Sequence, residues 1–179
     1  MKTLSKITLL VFTVVLLASC NQQKNDVKTE AETKQKALEE KIVATNEALF
    51  AAWNSGDAAS MEENLTADFS RKQNGEPSAK NREEYIGLMK FFRTAIPEMT
   101  FTHELVAVNG NKTLSKWTTT GTNTGMFGDQ PATGKSSVTH GFTILTYNDE
   151  GKAIAEEVYF DQLSYLQAWG YKLTPPKVE

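Results

Sequence analysis

The sequence predicts an α+β domain whose helices pack on one face of an antiparallel sheet. Three observations carry that expectation. In the first half, apolar residues recur at three- and four-residue spacing. In the second half, runs rich in β-branched residues alternate with Gly-containing turns. The helices come first and the strands after them, with no internal repeat, which is the order of helices laid on a meander.

The chain opens with a stretch that reads as a secretory signal over residues 1–19. Lys2 and Lys6 flank the start of an apolar run from Ile7 to Leu17, whose only polar members are Thr8 and Thr13. That run is shorter than the roughly 20 apolar residues a spanning helix needs and suits a signal core of about 7–15 residues. Leu17-Ala18-Ser19-Cys20 then resembles the lipobox of bacterial lipoproteins. The resemblance implies cleavage before Cys20, a diacylglycerol on its sulfur and acylation of the new amine. An ordinary signal peptide with an incidental Cys20 is the alternative. Acyl chains, at about 0.8 kcal/mol per buried CH₂, anchor stably when several act together, which places the protein at a membrane of the cell envelope. Asn21, not Asp, follows Cys20, so one familiar inner-membrane retention signal is missing.

Residues 21–35 contain only Val27 and Ala31 as apolar members. Too little surface is available there to offset the entropy of ordering, so 20–35 reads as a flexible tether, with a helical extension as the alternative near its end. The folded domain is expected over 36–172 and a tail over 173–179. The net charge is −3, and loss of Lys2 and Lys6 makes it −5. That balance argues against nucleic acid, which calls for clustered Lys and Arg. Two His and one Cys argue against a structural zinc site, and a lipidated Cys20 leaves no cysteine for an internal disulfide. No metal or cofactor is expected.

Within the domain, Leu38, Ile42, Val43, Asn46, Leu49, Phe50 and Trp53 trace one helical face. Ser55-Gly56 stops that helix, and Asp57 caps a short second one running to about Leu65. Asn81, with Glu84 three residues on, reads as a capping box for a third helix, which bears Tyr85, Leu88, Met89 and Phe92 and closes at Pro97. Strands follow at Met99–Val108, Thr113–Thr122, Val138–Tyr147 and Ala153–Leu163. Asn109-Gly110 and Asn148-Asp149-Glu150-Gly151 make the turns, and Gly125–Gly134 forms a long loop. A short helix over Ser164–Trp169 ends the fold.

Trp117-Thr118-Thr119-Thr120-Gly121-Thr122-Asn123-Thr124-Gly125, Phe127-Gly128 and Pro131-Ala132-Thr133-Gly134-Lys135 together resemble the central motif of SnoaL-like polyketide cyclases. The likeness continues in Gly141-Phe142-Thr143-Ile144-Leu145 and in Glu157-Val158-Tyr159-Phe160-Asp161-Gln162-Leu163. Upstream, Ala51–Asp57 and Phe92–Met99 match the end of the first helix and a Phe-Pro-Asp-Leu segment. Each piece is weak alone; the ordered set, over about residues 40–170, is fairly specific. It implies the cone-shaped nuclear transport factor 2-like fold, a curved sheet wrapped with the first helices around a pocket. It also implies a cofactor-independent cyclase or isomerase in which an acidic residue does general acid–base work.

Asp161 is the leading candidate for that acid. It is expected near a strand end between Phe160 and Leu163, where burial of a carboxylate raises its pKa and lets it take and return a proton. A strand-end Asp bonded to a loop is the bland alternative. His140 is linked to it by strand parity. If residue 147 pairs with 152, His140 lies opposite Tyr159; if 149 pairs with 152, it lies opposite Asp161. Either way the three share a face, unless an odd loop or a bulge intervenes, and His140 as a satisfied sheet residue is the alternative. Tyr159, Trp117, Trp53, Tyr85 and Phe142 are the expected pocket residues. His103 is expected at the surface, and Met126 and Phe127 as a lid or a hydrophobic plug. Glu156 and Glu157 point to opposite faces and cannot form a close carboxylate pair. Arg71 is followed by Lys72, whereas some relatives have His there, which weakens transfer of a complete catalytic set.

Three functions stay open on these grounds: an enzyme using Asp161 with His140, a non-catalytic binder of an apolar small molecule at the envelope, and an interaction module whose outer sheet face pairs with another protein or as a homodimer. A lipid anchor tells against polyketide synthesis, which happens inside the cell.

Overall fold

A computed structural model describes residues 30–175. The signal, Cys20, the tether up to residue 29 and the last four residues lie outside the described part. Residues 1–37 and 38–179 form two units. In the first, residues 30–37 are helical and exposed, so the expected tether is helix over 30–35. Glu30 and Lys34 pair at 2.7 Å in the favourable i,i+4 order, among Ala, Glu, Lys and Gln with good helix propensity.

The second unit starts with α1, residues 38–55, which buries Ile42, Asn46, Leu49, Phe50 and Ala52. Gly56 ends it at a φ of 75°. The Asp57 carboxylate accepts from the N–H groups of Ala59 and Ser60 and opens α2, Ala58–Asn64. Next comes a hairpin absent from the sequence reading: β1, Leu65–Gln73, and β2, Glu76–Ala79. Its two-residue turn is Asn74-Gly75, both with positive φ (52° and 89°), as a right-twisted hairpin requires. The Asn74 side chain also clamps the end of a neighbouring strand, donating to the Phe160 carbonyl and accepting from the Phe160 N–H.

Asn81 caps α3, Arg82–Ala95, through the Glu84 N–H. The returning Glu84 carboxylate bonds the N–H of Lys80, one residue earlier than a capping box predicts. Strands β3 (Thr100–Asn109), β4 (Lys112–Thr122), β5 (Ser136–Tyr147) and β6 (Ala153–Phe160) form the meander, and α4, Gln162–Ala168, follows. The six strands run in the order β2-β1-β6-β5-β4-β3. All neighbours are antiparallel except β1 and β6, which are parallel. The fold is thus the α+β arrangement expected, helices on a curved sheet, with one more hairpin at its edge.

The β5–β6 register fixes which side chains share a face. Thr146 pairs with Ala155 but Tyr147 pairs with Ala153, so one residue, Ile154, is inserted as a bulge. The loop between the paired ends is odd in length, and the bulge restores parity. Gly141 then faces Phe160, and Phe142 faces Tyr159. His140 and Tyr159 do lie on one face, but it is the face turned away from the helices. The opposite face carries Leu145, Tyr147, Glu156 and Val158, all buried. It meets Ile42, Leu49, Phe69, Tyr85 and Met89 in the main core, while Phe50, Trp117 and Val158 form a smaller cluster.

Candidate functional site

The helix-facing side of the sheet encloses a cavity of about 90 Å³. That is below the roughly 300–1,000 Å³ of drug-sized ligand sites, and on the scale of engineered apolar cavities that accept a single small ring. Its walls are mostly aromatic and aliphatic: Phe50, Phe101, Trp117, Val158 and Phe160 on one side, Phe92, Ile96 and Met99 on another.

Four side chains from four elements meet in the lining to form one polar network. Arg71 of β1 and Glu156 of β6 sit on adjacent parallel strands, directly paired in register. The Arg71 Nε–H donates to Glu156 Oε2 at 2.8 Å, with both side chains under a tenth exposed. Arg71 Nη1 donates further to Gln73 Oε1 (3.0 Å) and Ser78 Oγ (2.8 Å). From α1, Trp53 Nε1–H donates to the Tyr85 hydroxyl on α3 at 2.8 Å. Tyr85 in turn faces the Glu156 charge, which acts on its hydroxyl. Burial, reinforced by the Glu156 charge, pushes the Tyr85 phenol well above its ordinary pKa, while Arg71 and the Trp53 N–H pull the other way. Tyr85 therefore stays a neutral donor across the physiological range. The carboxylate of Glu156 has acceptor capacity beyond the bond from Arg71.

Trp117 lies across the neighbouring strand, its Nε1–H bonded to Thr143 Oγ1 at 2.9 Å. Gly141 makes this possible: a Cβ there would stand 2.3 Å from the Trp117 ring.

The sequence profile of the SnoaL-like polyketide cyclases matches residues 43–169, about seven-tenths of the chain. The chain belongs to that family. Among solved structures the SnoaL-like fold recurs in IdmH of Streptomyces antibioticus, assigned as a polyketide cyclase, at 22% identity and a TM-score of 0.63 over 73% of this chain and 99% of that one. A SnoaL-like protein of Jannaschia sp. CCS1, also assigned as a polyketide cyclase, gives 21% and 0.66 over 76% and 94%. AclR of Streptomyces galilaeus, assigned as a hydroxylase, gives 20% and 0.61 over 81% and 90%. No curated protein matches the chain significantly. At these identities the structural likeness speaks for the fold, and the differing assignments show why the SnoaL-like fold alone does not name a reaction.

Of the expected pocket residues, Trp53, Tyr85 and Trp117 line the SnoaL-like cavity. Phe142 and Tyr159 do not; they stand on the outer face, 50% and 44% exposed, where with His140 they line a second, more open pocket. His140 is there too, exposed, its Nδ1 2.9 Å from Thr118 Oγ1. Asp161 needs the largest correction. β6 ends at Phe160, and Asp161 is the N-cap of α4, accepting from both the N–H and the hydroxyl of Ser164. It is fully exposed, and those bonds, the hydroxyl first, hold its pKa below the ordinary value, where a buried general acid would be raised. His103 is half-buried, stacked on Phe50 at 3.9 Å and 3.0 Å from Glu47. Phe127 is a plug, packed on Phe91, Phe92 and Trp169, while Met126 is exposed.

Arg71 and Glu156 are the members of the site that the sequence reading did not select. A usable signal existed for Glu156. It shares parity with Val158 and Phe160, so the apolar content of that face marks it as buried. Arg71 shares parity with Phe69 on a strand that went unrecognised, although Asn74-Gly75 announces the hairpin.

Proposed function

We propose that this SnoaL-like protein takes an apolar small molecule into the cavity and moves a proton on it, with Glu156 as the base. The observation that carries the reading is the Arg71–Glu156–Tyr85–Trp53 network, a charged group built into an otherwise apolar cavity. Burying a carboxylate is costly unless it is paired and hydrogen-bonded, and this one is both. Arg71 and Tyr85 are positioning residues that hold the Glu156 carboxylate in place and aimed. Glu156 takes a proton from a carbon acidified by a neighbouring carbonyl, the C–H electron pair delocalises onto that oxygen, and the proton returns to carbon. Family membership supports this chemistry, and the exposed helix-capping position of Asp161 leaves Glu156 as the acid lining the cavity.

A test uses cyclopentanone, a single-ring ketone with acidified C–H bonds, in D₂O. The purified full chain is expected to accelerate deuterium exchange at the ring carbons beside the carbonyl, followed by NMR. Glu156→Gln is expected to lower that rate by about 10²-fold or more while a folded spectrum is kept. Absence of acceleration by the wild type overturns the proton-transfer step. Binding without turnover is the second reading, favoured by the pairing of Glu156 with Arg71, and cyclopentanone binding without exchange decides for it.

We further propose that Cys20 carries a lipid anchor, on the strength of Leu17-Ala18-Ser19-Cys20. Cys20→Ser is expected to abolish incorporation of labelled palmitate and release the chain from membranes; unchanged labelling overturns the anchor. The exposed Val138, Phe142 and Tyr159 on the outer face support pairing with a second copy of the chain. Light scattering that gives a monomer mass at tens of micromolar rejects it.

A further inference from the structure

Most polar atoms around the cavity have partners. Arg71 bonds Glu156, Trp53 bonds Tyr85, and Trp117 bonds Thr143. Trp169 Nε1 and Thr119 Oγ1 differ. Both side chains line the cavity, both atoms are buried, and neither has a hydrogen-bond partner among the described residues. Trp169 is only 2% exposed. Its ring is held edge-on against Phe127 and Tyr165, with centroids 5.3 and 5.0 Å away, so it is not free to swing toward a carbonyl elsewhere. An indole N–H only donates, and a hydroxyl donates or accepts. Native interiors rarely leave such groups unpaired, because each loses its water without compensation.

Charge narrows what could supply the missing partner. Among the described residues, Arg71 and Glu156 are the only charged side chains in the cavity lining, and each neutralises the other. An ionic ligand finds no free counter-charge in this apolar space.

We propose that the cavity selects an uncharged, ring-sized molecule bearing a carbonyl oxygen, and that Trp169 Nε1–H and the Thr119 hydroxyl are the specificity-determining donors to that oxygen. This rests on the reading of the cavity as a ligand site and adds the ligand class to it. The same two donors stabilise the oxygen as negative charge develops there during proton removal by Glu156.

The test compares cyclopentanone with cyclopentane, which has the ring but no oxygen, on the full chain by titration NMR. The wild type is expected to prefer the ketone about fivefold to tenfold, the worth of one to two net hydrogen bonds. Thr119→Val and Trp169→Phe are each expected to erase most of that preference, leave cyclopentane affinity within about twofold, and melt no lower than the wild type by more than a few degrees. Thr119→Val is nearly isosteric and decides the matter if Trp169→Phe fails to fold. A wild type that binds both probes equally, or a preference that survives both substitutions, overturns the inference. Failure of the wild type to bind either probe at millimolar concentration instead overturns the ligand site itself. Ketone preference without deuterium exchange leaves the inference standing and removes only catalysis.

Discussion

The two faces of the β4–β6 sheet are built from alternate residues of the same strands, yet they obey different rules. On the helix-facing side, Trp117 bonds Thr143, and Glu156 is locked between Arg71 and Tyr85. On the outer side, Thr118 touches His140, Tyr159 touches Glu157, and Phe142 stands half in solvent. Residue types do not separate the faces: each carries a carboxylate, aromatics and threonines. Water does. A carboxylate on the outer face is solvated whether or not it finds a partner, and its pairs contribute little. One on the inner face persists only where other elements deliver a guanidinium and a phenol to it.

Adjacent glutamates offer the most severe way to break that contrast. Glu156→Ala leaves the Arg71 guanidinium buried without its counter-charge, and removal of one member of a buried pair costs about 3–5 kcal/mol. Glu157→Ala, one residue along and facing solvent, is expected to stay within about 0.5 kcal/mol of the wild type. Urea unfolding of the two variants measures the difference directly. Equal midpoints would mean that the Arg71–Glu156 pair does not set the character of the inner face.

A second neighbouring pair sharpens the same point through packing. Gly141→Ala drives a methyl group into the Trp117 indole and is expected to cost about 1–3 kcal/mol, with loss of near-UV dichroism as the ring is displaced. His140→Ala, next to it on the outer face, is expected to change stability by less than about 0.5 kcal/mol.

Much of this architecture was legible in the residues, and the failures have physical causes. The helix face from Leu38 to Trp53, the caps at Asp57 and Asn81, and the four meander strands follow from periodicity and turn chemistry, which act locally. Strand parity also held: His140 and Tyr159 share a face, despite an odd loop, because the bulge at Ile154 compensates. Parity groups residues but does not say which group the helices will cover. That is settled by tertiary packing, so Phe142 and Tyr159 were assigned to the pocket and Glu156 was not. The β1–β6 pair was harder still. Parallel neighbours distant in sequence leave no turn between them to read, so nothing local brings Arg71 to Glu156. Asp161 misled for another reason. Followed at three residues by Ser164 and then by Tyr165 and Trp169, it fits an N-cap as well as a strand end, and the apolar run through Phe160 and Leu163 favours the strand.

The smallest expected effect concerns Asp161, which belongs to neither face. Its bonds to Ser164 hold the folded-state pKa below the ordinary carboxylate value near 3.9, so the carboxylate contributes stability wherever the unfolded chain would also be ionised. That contribution is present in full at neutral pH and is lost as pH falls through the depressed folded-state pKa, because both states are then protonated. Asp161→Asn keeps a capping oxygen and removes the titration. At pH 7 the variant should melt slightly below the wild type, and the gap should close on acidification toward pH 2–3. Its rate of cyclopentanone exchange should equal that of the wild type. A gap that widens in acid would contradict the capping role, and a loss of exchange would return Asp161 to the catalytic site and dissolve the separation between cavity and surface on which the Glu156 assignment depends.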